Sequence, residues 1–217
     1  MPDADADAEF TSPASTAVQE PVAPVRKRPK PGERRVQILQ ALATMLEQPG
    51  AERITTAALA ARLEVSEAAL YRHFASKAQM FEGLIEFIEQ SVFSLVNQIG
   101  EREPAGNTQA AKTVAMLLQF AEKNPGMTRV MVGDALVFEN ERLQQRMNQF
   151  FDKIESTIKQ SLRTGRDGDG SATPSLDAQV RASMLTAFVV GRLQRFARSG
   201  FKRVPSEHLE ASLARML

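Results

Sequence analysis

The side chains best suited to chemistry lie in one stretch, from Ile54 to Lys77, which mixes hydroxyl, basic and small residues. Thr55 and Ser66 each precede a short helix-forming run, where a hydroxyl caps unpaired backbone N–H groups. The outward positions of the second run share one helical face at i, i+3 and i+4. They are Ala68, Tyr71 and Arg72. Since Ala69 is also small, this helix can enter a major groove deeply, and the chemistry indicated is hydrogen bonding and charge pairing with DNA.

The same stretch also contains apolar residues spaced to lie on the inner sides of its two helices. They are Leu59, Leu63, Val65, Leu70 and Phe74. Small side chains at Ala57, Ala58 and Ala60 allow the second helix to approach closely. This pattern predicts two helices held at a fixed angle, as in a helix-turn-helix.

Glu67 opens the second helix and admits two interpretations. Its carboxylate could accept a hydrogen bond from a cytosine amino group. It could instead simply favour the positive N-terminal end of the helix. We favour the second interpretation, because it requires nothing beyond an acidic residue at a helix start.

The composition argues against an enzyme and against a membrane protein. The 217 residues include no Cys and two His, His73 and His208, which leaves little material for a metal site or a catalytic triad. We therefore expect no metal and no cofactor. No run approaches the roughly 18 apolar residues of a membrane span, and the acidic start is not followed by the hydrophobic stretch of a secretory signal. A cytoplasmic protein fits best.

The first 32 residues differ in composition from the rest. Residues 1–20 hold five acids and no base, whereas residues 26–35 hold six bases and one acid. A segment of this composition cannot bury a core. We predict a disordered tail over residues 1–32, with a basic arm that contacts DNA phosphates as it enters the helix-turn-helix.

Beyond Gly32 the apolar residues recur at helical spacing. The predicted fold is all-α with about nine helices, divided into a helix-turn-helix DNA-binding domain at 33–76 and a helical dimerisation and partner-binding domain at 77–217. A first helix ends at Pro49-Gly50, Ser206 caps the last helix, and a loop spans 165–175. The other predicted helical segments are 55–62, 67–73, 77–99, 108–123, 127–138, 140–163, 176–198 and 206–216.

The run VSEAALYRHFASK, residues 65–77, resembles the recognition-helix signature of TetR-type regulators. The resemblance implies that Thr55, Tyr71, His73 and Lys77 contact phosphates. It also implies that four residues lie at or near the groove floor: Thr56, Ser66, Ala68 and Arg72. Two alternatives stay open, because Tyr71 could merely cover the helix junction and His73 could be structural.

The resemblance continues beyond this motif, through Arg53–Ser91 and Phe120–Ser156, and is to those TetR-type proteins that act in nucleoid occlusion. It covers most of residues 35–200. It implies a homodimer that binds palindromic sites in double-stranded chromosomal DNA. It further implies that the DNA-bound protein antagonises FtsZ, the tubulin-like division protein, so that no septum forms over the nucleoid.

A second set of residues suggests a surface for a protein partner. Phe87 lies about 120° from the centre of its helix's apolar stripe, and Met116, Phe120 and Lys123 follow at i, i+4 and i+7 beside Asn124. From the residues alone we favour packing of Phe87, Met116 and Phe120 against neighbouring helices. The resemblance instead implies a groove for the FtsZ C-terminal tail. Lys123 stands where the family is expected to have Arg. Lysine retains the positive charge but lacks the bidentate fork of a guanidinium group.

A third set, on the segment 176–198, could form the contact between two subunits. It comprises Val180, Met184, Ala187, Phe188 and Gly191. Ala187 and Gly191 permit close helix approach, and a protein that binds a palindrome needs two recognition helices, so we favour a dimer face over a buried intrachain helix.

Two rival functions remain open at this stage. A ligand-responsive repressor of the same fold would need a cavity within the C-terminal helices, but polar residues there are few beyond Thr113, Gln119 and Thr186. A structural chromosome binder would show little sequence preference and a steep dependence on salt.

Overall fold

Every regular element in the described part of the chain is helical, which confirms the predicted fold class. The computed structural model describes residues 32–48, 54–164 and 173–217. Within them lie α1 (Glu33–Leu46), α2 (Thr56–Arg62), α3 (Glu67–Tyr71), α4 (Lys77–Arg102), α5 (Gly106–Lys123), α6 (Pro125–Met131), a 3₁₀ turn (Asp134–Leu136), α7 (Glu141–Thr164), α8 (Pro174–Arg198) and α9 (Leu209–Met216).

Three predictions fall wholly or largely outside the described residues. They are the tail at 1–32 apart from Gly32, the helix stop at Pro49-Gly50, and most of the loop at 165–175. The tail and loop thus stay predictions, as do the domain boundaries at 33–76 and 77–217. One hydrophobic core cluster includes residues from both predicted domains, from Ile38 of α1 to Leu193 of α8.

The predicted start of the last helix is wrong. The helix begins at Leu209, and Ser206 does not cap it. His208 has a left-handed φ of 54°, which interrupts a helix started at Ser206. The backbone N–H of Ser206 instead donates to Glu122 Oε1 on α5 at 2.9 Å. This tertiary hydrogen bond anchors the Ser206 backbone to α5, three residues before α9 begins.

The long helix α4 connects the helix-turn-helix to the rest of the molecule and is fixed to α7 by ion pairs. Arg146 donates from Nε and Nη2 to the two carboxylate oxygens of Glu89, at 3.1 and 2.6 Å. Because the carboxylate of Glu89 accepts these hydrogen bonds, the pKa of Arg146 is raised above its ordinary value. Two turns earlier on α4 and one turn earlier on α7, Glu82 pairs with Arg142. These contacts set the register between the two helices.

Glycine permits two close approaches around α1 and α4. A Cβ on Gly83 of α4 would lie 3.2 Å from Phe74 Cε1 and 3.4 Å from the Leu39 methyl groups. A Cβ on Gly126 of α6 would lie only 1.9 Å from the carbonyl oxygen of Ala43. The backbones of α1 and α6 therefore touch, and they pack the DNA-binding end of the chain onto the core.

This contact generates a stability prediction. Gly126→Ala should lower the free energy of unfolding by about 2–3 kcal/mol, because a backbone carbonyl cannot move aside for the new methyl group. Gly100→Ala is the matched control, since no atom lies within 4 Å of its added Cβ. That control should be neutral or stabilise by up to roughly 1 kcal/mol. Urea denaturation measures both, and a Gly126→Ala midpoint equal to the wild-type value would contradict the packing of α6 on α1.

Candidate nucleic-acid interface

The two short helices of the motif begin as predicted, with hydroxyl caps. Thr55 Oγ1 accepts a hydrogen bond from Ala58 N at 3.1 Å, and Ser66 Oγ accepts one from Ala69 N at 3.3 Å. Each cap satisfies an N–H group that has no partner within its helix. A hydroxyl that accepts such a bond still has its own proton to donate elsewhere.

The predicted inner set holds α2 and α3 together. Leu59, Leu70 and Phe74 are each 1% exposed, and Leu63 and Val65 are partly buried against the same core. Because this set is buried, the opposite side of α3 is left outward. The structure thereby confirms the burial of the predicted inner set, whereas of the three small residues predicted to permit close approach, Ala60 is buried and Ala57 and Ala58 are exposed.

The residues predicted to contact DNA lie around this outward side. Six of the eight are exposed: Thr55, Ser66, Ala68, Tyr71, Arg72 and His73. Thr56 and Lys77 are half-buried. The Tyr71 side chain is 46% exposed, so covering the helix junction leaves about half of it accessible.

Three side chains on this side, those of Thr56, Glu67 and Tyr71, form a small network that the sequence did not reveal. Thr56 Oγ1 donates to Glu67 Oε2 at 2.5 Å, and Tyr71 Oη lies 3.5 Å from Thr56 Oγ1. The network links the start of α2 to both ends of α3. Glu67 thus has a specific partner in addition to its place at a helix start.

Arg35, at the end of the predicted basic arm, contacts the motif and helps to position it. Its Nη1 donates to the backbone oxygen of His73 at 3.0 Å. Its guanidinium carbon lies 4.1 Å from the centre of the Phe74 ring. The sequence predicted that the basic arm containing Arg35 contacts phosphates. The contact of Arg35 with Phe74, 39 positions away, is evident only in the structure.

Lys77, the last residue of the motif, is held by a residue far along the chain. Its Nζ pairs with Glu139, in the segment between the 3₁₀ turn and α7. It also lies 5.7 Å from the centre of the Phe81 ring. Any phosphate that binds Lys77 must therefore compete with this carboxylate.

The predicted partner-binding residues lie on α4, on α5 and at Asn124 directly after α5, and they differ in exposure. Phe87 is 47% exposed, whereas Met116 and Phe120 are half-buried against the core. Lys123 is exposed, and Asn124 donates from Nδ2 to the backbone oxygen of Phe120 at 2.8 Å.

A groove does run between α4 and α5, and Met116 lines it together with Leu95 and Ile99. At 100° per residue, Phe87 lies within about 80° of Leu95 around α4, two turns nearer the DNA-binding end. Phe87 does not line this groove itself.

The predicted dimer face of α8 carries an exposed apolar stripe. Leu176, Val180 and Met184 follow at i, i+4 and i+8 and are 59%, 49% and 51% exposed. Ala187 is exposed, while Phe188 and Gly191 are half-buried. An uncovered stripe of this kind is typical of a surface that meets another helix.

Within residues 32–48, 54–164 and 173–217, no group of three or more His, Cys, Asp or Glu side chains is arranged to hold a metal ion. No helix in those ranges has the length and apolar character that a membrane crossing requires.

Comparison with known proteins agrees with this architecture. Residues 38–84 match the family described as bacterial regulatory proteins, tetR family, and residues 107–216 match the tetracyclin repressor-like C-terminal domain. A TetR-like transcriptional regulator from Rhodococcus sp. RHA1 has a TM-score of 0.68 at 18% identity, covering 87% of this chain and 97% of its own. The fold and the capped motif define a TetR-type helix-turn-helix protein.

Closer relatives narrow the class. Nucleoid occlusion factor SlmA of Aliivibrio fischeri strain MJ11 is 54% identical over 181 residues, which are 83% of this chain and 92% of that protein. Nucleoid occlusion factor SlmA of Vibrio cholerae is 51% identical over 178 residues, 82% of this chain and 90% of that protein. The chain therefore belongs to the SlmA family of nucleoid occlusion factors.

The Lys77–Glu139 pair generates a prediction about DNA affinity. Glu139→Gln should raise affinity for duplex DNA roughly two- to fivefold at low salt, because it releases Lys77 for phosphate at little structural cost. Glu103→Gln is the matched control. It removes the same charge from the pair with Lys112, at the far end of a helix about 39 Å long.

Fluorescence anisotropy over a salt series measures the difference between these variants. An increase in Glu139→Gln alone supports phosphate contact by Lys77. Equal affinity of the two variants would instead make the Lys77–Glu139 pair a purely structural link.

Proposed function

We propose that this protein binds palindromic chromosomal DNA as a homodimer and, while bound, antagonises FtsZ so that the septum does not form over the nucleoid. The observation that carries the proposal is the outward face of α3, set in a capped helix-turn-helix within a chain of the SlmA family. The protein acts in the cytoplasm at the nucleoid. Its partners are double-stranded DNA, a second copy of itself and the FtsZ C-terminal tail.

DNA contact is supported by the kinds of group on that face. Arg72 can donate to base edges in the major groove, and Ala68 leaves room for close approach. Thr55 supplies an exposed hydroxyl at the start of α2, and Tyr71 and His73 supply exposed groups at the end of α3, as contacts to the phosphates that border the groove. Thr56 and Ser66 lie beside the floor, and Lys77 is the cation that DNA would take from Glu139.

Dimer formation is supported by the stripe on α8. Leu176, Val180 and Met184 would be covered by the same helix of a second subunit in a two-fold contact. Ala187 and Gly191 continue the stripe with side chains small enough for close helix approach, next to Phe188. Two α3 helices related by this axis would meet two equal half-sites, which is what a palindrome offers.

FtsZ contact is supported by the side of α4 and α5. Phe87 offers an exposed aromatic ring, Met116 a flexible apolar wall and Lys123 an exposed cation. A short peptide with apolar residues and an acid would match these groups. Phe120 and Asn124 complete the surface, with Asn124 held in place by its hydrogen bond to Phe120.

The rival ligand-responsive repressor receives less support. The space between α5, α7 and α8 contains Leu117, Phe150, Leu185 and Val189, each no more than 1% exposed. Of the polar candidates for an effector site, Thr113 and Thr186 are buried and Gln119 is exposed.

Thr55 provides the test of DNA binding. Thr55→Ala should weaken binding to a selected palindromic duplex roughly tenfold per dimer, because two phosphate contacts are lost. Loss of the cap should also lower the free energy of unfolding by about 1 kcal/mol. Thr55→Ser, which keeps the hydroxyl, should bind nearly as wild type.

Sedimentation equilibrium and anisotropy measured on the same samples separate DNA binding from assembly. Loss of the dimer in Thr55→Ala, with unchanged DNA affinity per dimer, would exclude Thr55 as a phosphate contact.

Phe87 provides the test of FtsZ antagonism. FtsZ is sedimented with GTP and this protein, with and without the palindromic duplex. The DNA-bound protein should bind FtsZ and change the amount of polymer pelleted. Phe87→Ala should abolish this effect and retain DNA affinity, because it removes an aromatic ring that is 47% exposed from the proposed FtsZ-binding surface.

Phe138→Ala is the matched control, a phenylalanine that is 58% exposed outside α4 and α5. It should behave as wild type toward FtsZ. If FtsZ is unaffected by the wild-type complex, the division-inhibitor proposal fails and a repressor function takes its place.

A further inference from the structure

We infer that Glu67 determines DNA specificity: it holds the Thr56 hydroxyl in the unbound protein and accepts a hydrogen bond from a cytosine amino group in the correct site. The inference rests on the proposed function, since it assumes that α3 enters the major groove. It concerns which DNA is bound, whereas the proposed function concerns whether palindromic DNA is bound at all.

The direction of the hydrogen bonds is dictated by chemistry. Thr56 Oγ1 and Glu67 Oε2 are 2.5 Å apart, and an ionised carboxylate can only accept. Thr56 must therefore donate its single proton to Glu67. Its lone pairs remain to accept from Tyr71, whose Oη is 3.5 Å away. In this arrangement the Tyr71 proton is donated to Thr56 and the Thr56 proton to Glu67.

DNA must compete with this arrangement. Thr56 and Tyr71 are two of the residues proposed to contact DNA, and a phosphate needs the same two hydroxyl protons that are already donated within this network. The phosphate is also an anion, so the nearby carboxylate repels it. A random duplex therefore gains little binding energy from Thr56 or Tyr71, because it offers no new hydrogen-bond donor to the Glu67 carboxylate.

The correct site removes this penalty. Only the exocyclic amino groups of cytosine and adenine donate in the major groove, and a carboxylate is the acceptor matched to cytosine N4, because adenine also presents its N7 acceptor. Glu67 is exposed at the first position of α3, where recognition helices contact base edges. We therefore expect one cytosine per half-site opposite Glu67, and two per palindrome.

The test compares Glu67→Gln with wild type in selection from random duplexes. Glutamine retains the size and an oxygen acceptor for Thr56, so the fold and the cap remain. It loses the charge, and its amide matches adenine better than cytosine. The matched control is Glu64→Gln, which removes an exposed acidic charge from the turn of the same motif.

Wild-type and Glu64→Gln proteins should select the same palindrome, with cytosine at one symmetry-related pair of positions. Replacing that cytosine pair by thymine should weaken DNA binding by both proteins roughly tenfold or more. The same replacement should lower the affinity of Glu67→Gln by less than about threefold. This variant should also bind a scrambled duplex roughly fivefold more tightly than wild type does.

Three outcomes are decisive. Selection of an unchanged motif by Glu67→Gln, with the same cytosine penalty, would overturn the inference. An equal gain on scrambled duplex in Glu64→Gln would show a general charge effect and would also overturn it. If the wild-type protein selects no palindrome, the proposed function itself fails, which is distinguishable from the first two results because wild-type selectivity is then absent.

Discussion

The burial of Phe74 is the contact on which the DNA-binding end of this molecule depends. Its ring lies just after α3, is 1% exposed, and packs against Gly83 of α4, where a Cβ would approach to 3.2 Å. The Arg35 guanidinium from α1 lies 4.1 Å from the ring centre and also binds the His73 carbonyl. One aromatic side chain therefore joins α1, α3 and α4, and it fixes which side of α3 faces outward.

The helix α4 carries this orientation into the rest of the protein. Its acidic side chains meet arginines of α7 through the Glu82–Arg142 and Glu89–Arg146 pairs, and its first residue, Lys77, meets Glu139. A partly buried bidentate pair resists sliding more than a single exposed pair does. DNA that draws Lys77 away from Glu139 would thus act at the N-terminal end of α4. The C-terminal part of the same helix forms the groove with α5.

The outward face of α3 combines attraction for DNA with selection against most of it. Arg72 and the hydroxyl groups favour any phosphate backbone, whereas the carboxylate of Glu67 opposes it and already occupies the Thr56 hydroxyl. Charge alone cannot distinguish one duplex from another, because every duplex presents the same phosphates. An acceptor that only certain bases satisfy converts general affinity into preference.

The sequence by itself determined the helices, the Thr55 and Ser66 caps and the inner apolar set, because these follow from residues within a few positions of one another. The tertiary structure decided the partners of charged side chains. Arg35 meets His73 across 38 positions and Lys77 meets Glu139 across 62, while the Ser206 N–H meets Glu122 across 84. Hydrophobic periodicity states which side of a helix is buried, but it contains no information on which distant charge will lie beside it.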